Sequence, residues 1–141
     1  MAAQTELDHL GTALVTGGSR GIGRGIATAL AETGFDVAVA SRTAADLDDV
    51  VESITSAGGH ARPYTADLAE PAEIDDLASA VEADMEAVDV LVNNAGIGAG
   101  GRPVWEFDAD EWWRVHEVNL RAPMRLCRRL MPRMVERDPD T

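Results

Sequence analysis

The stretch Leu14-Val15-Thr16-Gly17-Gly18-Ser19-Arg20-Gly21-Ile22-Gly23 decides how the chain is read. A short apolar run, residues 12–15, leads into it, and an apolar-periodic segment, residues 22–30, leads out. That context predicts strand, tight turn, helix. Glycines at 17, 21 and 23 let the backbone turn sharply and let another group come close to it. The N–H groups of residues 19–23 then point out of the helix N-terminus. They carry partial positive charge and have no intrahelical partner, so a phosphate suits them. Such turns also join strands to helices with no ligand at all, and the loop by itself leaves both readings open.

Strand-like and helix-like segments alternate outward from this loop. The first helix is predicted over residues 21–32, with Gly34 at its C-terminal cap. Val37-Ala38-Val39-Ala40 reads as a short buried strand. Apolar residues at 47, 50, 51 and 54 give residues 44–57 helical spacing, and Gly58-Gly59 stops that helix. Residues 60–65 can form a third strand. Pro71 suits the first turn of a helix running to about residue 85, with Ile74, Leu77, Ala78 and Val81 on one face. Residues 88–92 make a fourth strand. Continuous apolar runs of this kind suit a parallel sheet covered on both faces. The βα repeat therefore predicts an α/β fold, a Rossmann-type doubly wound parallel sheet, in one domain spanning residues 1–141.

The last helix is expected over residues 108–134, capped by Asp108 or Asp110. Trp112, Val115, Asn119, Ala122, Leu126 and Leu130 share one stripe; Leu120, Met124, Cys127 and Met131 make a second. A helix apolar on two sides is buried on two sides. One side is expected on the sheet and the other against a second subunit, giving a homo-oligomer. Pro123 is expected to kink the helix.

A net charge of −13 makes nucleic acid and anionic membranes poor partners. All twelve basic residues are arginine. GC-rich coding bias and adaptation to high salt both account for this. Cys127 is the sole cysteine, so no intrachain disulfide is possible, and it reads as a core or interface residue. Residues 1–9 lack the basic start of a signal peptide, and no apolar run approaches the roughly 18 residues that span a membrane. The chain reads as cytoplasmic.

Candidate functional residues gather at the carboxyl ends of the strands, where open α/β sheets bind ligands. Asn93-Asn94-Ala95-Gly96 follows the fourth strand, and its small residues let a flat ligand lie against the backbone. Asp67 follows the third strand; its carboxylate can accept from an adenine amino group or simply cap the next helix. At the end of the second strand, NAD-binding sheets carry an acid for the ribose 2′-hydroxyl, whereas an arginine accommodates a 2′-phosphate. Here the residues are Ser41-Arg42-Thr43, and Arg20 is a second arginine in reach. Two guanidiniums and two hydroxyls suit a phosphate, which favours NADP over NAD. Asp36 lies at the wrong end of its strand, and Asp46 reads as a turn into the next helix. Asn119, within an apolar stripe, is a buried amide needing partners: a structural bond to a strand, or a role in holding a water or catalytic group, directly or through a carbonyl freed near Pro123. His9, His60 and His116 are not spaced as metal ligands, and His116 reads as packing. Trp105, Trp112 and Trp113 read as core or interface, and the pairs Asp48-Asp49 and Asp75-Asp76 as solvated helix faces.

Taken together, these residues resemble the short-chain dehydrogenase/reductase family. Thr16-Gly17-Gly18-Ser19-Arg20-Gly21-Ile22-Gly23 looks like its cofactor loop, and Asp67-Leu68 resembles its adenine-contacting pair. Asn93-Asn94-Ala95-Gly96 matches its NNAG motif, and Val118-Asn119-Leu120 the segment whose asparagine holds a water in a proton relay. The resemblance covers essentially the whole chain. It implies an NADP(H)-dependent oxidoreductase passing hydride between nicotinamide and a ketone or secondary alcohol. The loop most resembles that of carbonyl reductases, including 3-oxoacyl-carrier-protein reductases. The family's chemistry also needs a serine and a Tyr-x-x-x-Lys pair. Tyr64 is the only tyrosine here, Leu68 stands four residues on, and there is no lysine. The chain ends at Thr141, where the family's fifth strand should begin. It is therefore expected to be the cofactor-binding half of a reductase, truncated, inactive alone, with its fourth strand left as an unpaired sheet edge. A non-catalytic nucleotide-binding module or an inert fragment is the alternative.

Overall fold

The computed structural model describes residues 9–98 and 100–137. The N-terminal stretch read as no signal peptide lies, up to residue 8, outside the described residues.

Strands and helices alternate as expected. β1 (Gly11–Thr16), α1 (Gly21–Glu32), β2 (Phe35–Ser41), α2 (Ala44–Ser56), β3 (His60–Thr65), α3 (Pro71–Met85) and β4 (Val88–Val92) follow in order. The four strands are parallel, in the order β3-β2-β1-β4. Side chains alternate across a strand, so neighbouring residues feed opposite layers. Leu14, Ala38 and Ala40 pack on Ile74, Leu77, Ala78 and Val81 of α3 and on Leu126 and Leu130 further along. Val15, Val37 and Val39 pack on Ala27 and Ala31 of α1 and on Leu47, Val50 and Ile54 of α2. Both faces are covered, which is why β1 and β2 read as apolar runs without alternation.

Glycines end the helices as the sequence suggests. Thr33 is the cap of α1, and Gly34 follows with φ +106°, a conformation L side chains rarely adopt. The N–H groups of Gly58 and Gly59 close α2 onto Thr55 and Ile54. Pro71 opens α3. Pro63 sits on β3, the outer edge of the sheet, where its missing N–H costs little. At the other edge, β4 pairs with β1 alone among the described residues.

The last helix departs from the single rod predicted. α4 (Ala109–His116) is followed by a π-helical turn over Glu117–Arg121 and then α5 (Ala122–Arg137). Pro123 has no N–H to give the carbonyl four residues back. The ladder widens before it, and the Ala122 N–H reaches the Glu117 carbonyl five residues away. Of the two caps considered, Asp108 serves: its Oδ1 accepts from the N–H groups of Asp110 and Glu111, both at 3.0 Å.

Only one stripe of this helical stretch is in the core. Ala122, Leu126 and Leu130 are buried, whereas Leu120 is 67% exposed and Met124 and Met131 are also exposed. The tryptophans are not core residues either, Trp105 being 81% exposed. His116 packs as expected, its ring centroid 4.0 Å from that of Trp112. Cys127 is half-buried, with the Asn93 amide 3.6 Å from its sulfur. Asp48, Asp49, Asp75 and Asp76 are all exposed as expected, and Asp75 also pairs with Arg125. Further along the same seam, Arg129 meets the buried Glu82 carboxylate at 2.9 Å, with Arg133 3.3 Å from its other oxygen. Arginines of α5 thus fasten it to the acids of α3. Among the described residues no helix is long and apolar enough to cross a membrane, and no cluster of side chains could hold a metal ion.

Tyr64 ties β3 to α3 through its hydroxyl, which donates to Asp84 Oδ2 at 3.1 Å. Burial first, then this bond and the Asp84 charge, push its pKa up to about 12, against a smaller opposing pull from Arg62. A folded pKa above the unfolded value favours the native state below the unfolded pKa, and that advantage is lost as pH rises through the folded one. With no lysine and one tyrosine, Tyr64 is the only side chain expected to titrate between about pH 10 and 12. Urea denaturation should therefore show stability falling across that window in the wild type and staying level in Tyr64→Phe.

Candidate functional site

The chain steps outward from β1 to β2 and β3, then returns to lay β4 on the other side of β1. A crevice opens outside the carboxyl ends of β1 and β4 at that reversal. The two turns lining it are stapled together. Asn94 Nδ2 donates to the carbonyls of Thr16 and Gly17, both at 3.1 Å. Thr16 Oγ1 accepts from the N–H groups of Asn94 (3.2 Å) and Ala95 (3.1 Å) and donates to the Val92 carbonyl at 3.3 Å. The Thr16 hydroxyl is buried, and this arrangement uses its one proton and both lone pairs.

The glycines make the close approach possible. Gly17 has φ +63°, and a Cβ there would lie 2.8 Å from the Ala95 Cα. A Cβ on Gly23 would overlap the Gly17 carbonyl oxygen and the Asn94 side-chain nitrogen. Gly18 is tucked against Val39, and its N–H donates to the Ala40 carbonyl at 3.3 Å. Gly21 faces open space but holds φ +56°. Arg20 stands at the N-cap of α1 with extended backbone; no side chain caps that terminus and no acid lies in its first turn. α4 differs, since Asp108 occupies its amide donors. The open donors of α1 face the crevice, which Gly17, Ser19, Arg20 and Ile22 line.

The ends of β2 and β3 close the other side. Ser41 and Arg42 line the crevice, with the Thr43 N–H held 3.3 Å from Ser41 Oγ. Asp46, read from sequence as only a turn residue, lines it too. Asp67 and Leu68 follow β3 into the same lining, Leu68 being buried. The two readings of Asp67 meet in one side chain. Its Oδ1 accepts from the Ala69 N–H at 2.9 Å, while Oδ2 accepts from Arg114 Nη2 at 2.8 Å. Burial alone would raise this carboxyl. The Ala69 bond, the Arg114 guanidinium and the charge of Arg42 outweigh it and hold the pKa below its ordinary value.

Asn119 corrects the sequence reading. It is exposed, not buried, because the stripe it shares is covered only farther along, at Ala122, Leu126 and Leu130. Its partner is a loop and not a strand. Oδ1 accepts from the Ile97 N–H at 2.9 Å, and Nδ2 donates to the Ile97 carbonyl at 2.8 Å. A Cβ on Gly96 would lie 3.4 Å from Asn119 Oδ1. Asn119 thus pins the turn after β4, and it sits within the π-helical turn ahead of Pro123.

Asn94, Ala95, Gly96, Ile97 and Val118 complete a crevice of about 460 Å³. That lies within the range of small-molecule sites, roughly 300–1,000 Å³. Thr43 and Val118 belong to stretches the sequence marks, whereas Ile97 and, behind Asp67, Arg114 were not among the expected residues. Nothing local marks them; only the folded arrangement brings them to the crevice.

The family model for short chain dehydrogenases matches residues 11–139. The chain belongs to the short-chain dehydrogenase family. A short chain dehydrogenase of Pseudocercospora fijiensis is 46% identical over 127 residues, covering 89% of this chain and 41% of that protein. The 1-deoxy-11-beta-hydroxypentalenate dehydrogenase of Streptomyces avermitilis is 33% identical over 126 residues, 89% of this chain and 47% of that one. The chain thus spans less than half the length of these family members. Among solved structures, a metagenomic short-chain oxidoreductase in complex with NADP aligns with TM-score 0.87 and 39% identity, over 90% of this chain and 57% of the other. L-sorbose reductase from Gluconobacter frateurii, complexed with NADPH and L-sorbose, aligns with TM-score 0.86 and 30% identity, over 94% and 51%. A short-chain dehydrogenase/reductase from Burkholderia phymatum in complex with NAD aligns with TM-score 0.85 and 31% identity, over 94% and 46%.

Two glycines of α1 separate local from tertiary constraint in this family member. Gly23→Ala drives a methyl group into the staple and should lower stability by about 1–3 kcal/mol in urea denaturation. Gly25→Ala, whose Cβ meets nothing within 4 Å, should leave stability unchanged or raise it by up to about 1 kcal/mol.

Proposed function

We propose that this chain forms the cofactor-binding portion of an NADP(H)-dependent oxidoreductase, which passes hydride between nicotinamide and a ketone or secondary alcohol. The observation that carries the reading is the stapled crevice, with uncapped amides on one wall and two lining arginines, Arg20 in the glycine loop and Arg42 after β2, that make no ion pair among the described residues. The fit is physical: Gly17 and Gly23 let the two turns close on each other, Gly21 beside them faces open space, and the crevice volume of about 460 Å³ suits a small-molecule ligand. Gly17 to Gly23 hold the pyrophosphate at the α1 N-terminus, with Ser19 donating beside them. Arg20, Ser41 and Arg42 hold a 2′-phosphate. Asp67 and Leu68 hold the adenine, Asp67 as acceptor and Leu68 as an apolar wall. Asn94, Ala95 and Gly96 form the floor beside the ring that carries hydride. Bound NADPH would supply that hydride.

Asn119 acts on two levels in this reading. Its side chain fixes the Ile97 backbone, and its own carbonyl, freed by the wide turn before Pro123, holds a water that relays a proton. The sequence carries no Tyr-x-x-x-Lys, so no side chain here protonates a carbonyl oxygen, and we expect the 141-residue chain alone to bind cofactor without turnover. The alternative reading is a non-catalytic nucleotide-binding module. The exposed stripe of Leu120, Met124 and Met131 fits association with a second subunit, and we take the cytoplasm as the working compartment.

Calorimetric titration of the chain with NADPH and NADH tests the proposal. NADPH should bind more tightly, and Arg42→Ala should weaken it about tenfold or more while changing NADH less than about threefold. Equal affinity for both, or no binding, would overturn the reading.

A further inference from the structure

Arg114 does not line the crevice, yet it controls the charge of a residue that does. Four charged side chains face the crevice: Arg20, Arg42, Asp46 and Asp67. Their formal charges cancel, in a chain whose net charge is −13. A phosphate dianion entering there gains little unless one carboxylate is neutralised from elsewhere. Arg114 does this from α4. Its guanidinium holds Asp67 Oδ2 from behind while the Ala69 N–H holds Oδ1, so the carboxylate is fixed on both oxygens. Arg42 also acts on the Asp67 charge but makes no ion pair among the described residues; the same is true of Arg20.

We infer that Arg114 is a specificity-determining positioning residue: by occupying Asp67 it leaves Arg42 available to a 2′-phosphate, and so selects the phosphorylated dinucleotide. This rests on the NADP(H) reading above. Without Arg114, the Asp67 carboxylate competes with the 2′-phosphate for Arg42 and repels it. The adenine needs from Asp67 only an acceptor, which survives the loss of Arg114. The penalty therefore falls on NADPH and spares NADH. A purely structural role for Arg114, one that merely props α4 against the turn after β3, would weaken both cofactors alike.

The two roles separate in calorimetric titrations of the full 141-residue chain with NADPH and NADH at low salt. Arg114→Met should lower the ratio of NADPH to NADH affinity about tenfold, as expected for one uncompensated charge near a dianion. Arg114→Lys keeps the charge and should stay within about threefold of the wild-type ratio. Asp67→Asn added to Arg114→Met removes the competing charge, keeps an acceptor and should restore the ratio. Arg125→Met breaks a surface pair on the next helix and should leave the ratio unchanged. Far-ultraviolet circular dichroism checks each fold, and if Arg114→Met fails to fold, Arg114→Gln and the double variant carry the same comparison. Equal losses for both cofactors, or a ratio that Asp67→Asn does not restore, would overturn the assignment. A wild-type chain that binds neither cofactor would overturn the cofactor reading and this assignment with it, a result distinct from binding at an unaltered ratio.

Discussion

The staple between Thr16 and Asn94 is the constraint on which the site depends. A strand can end in many kinds of turn. Here the turn after β1 and the turn after β4 must lie within hydrogen-bond reach of each other, 78 residues apart in sequence. Glycine at 17 and 23 removes the atoms that would keep them apart. The Thr16 hydroxyl and the Asn94 amide then satisfy the polar groups exposed by that approach. In a buried setting an unmet donor or acceptor costs about 1–3 kcal/mol, so the pairing also holds the two turns in one arrangement. The rest of the crevice is built outward from this seam, with the α1 amides on one wall and the strand ends β2 and β3 on the other.

The sheet and its helices were legible because their signals are local and strong. Glycines punctuate the elements, apolar runs mark strands buried on both faces, and Pro71 marks a helix start. Most crevice residues were legible for the same reason, since they follow strands directly. What was not legible depended on long-range geometry or hydrogen bonding. A period of 3.6 cannot distinguish an α-helix from one interrupted by a single wide turn, so the π segment at Glu117–Arg121 was invisible although Pro123 hinted at a break. Asn119 was expected to be buried because a stripe was assumed to be covered along its whole length, and the cover begins only at Ala122. Arg114 and Asp67 are 47 residues apart, and no spacing rule joins them.

Charge follows a similar division of labour. Acids dominate the sequence, yet the arginines are placed where a single guanidinium does the most. Those of α5 face the acids of α3 and clamp two elements on one face of the sheet. Arg114 answers the carboxylate of the crevice, and Arg20 and Arg42 remain at its mouth. The net charge therefore says little about the crevice itself, whose local balance is set by which carboxylates are already occupied.

The hydrogen bonds of the staple are all made within the chain, so the crevice is ordered before any ligand arrives. Amide hydrogen exchange in the chain without cofactor tests this most directly, read at the N–H groups of Asn94 and Ala95, which donate to Thr16 Oγ1. Preorganisation predicts slow exchange at both, comparable to the amides of β1, with little change on adding NADPH. Fast exchange in the free chain that slows only with NADPH would contradict it, because the turns would then be ordered by the ligand and not by each other.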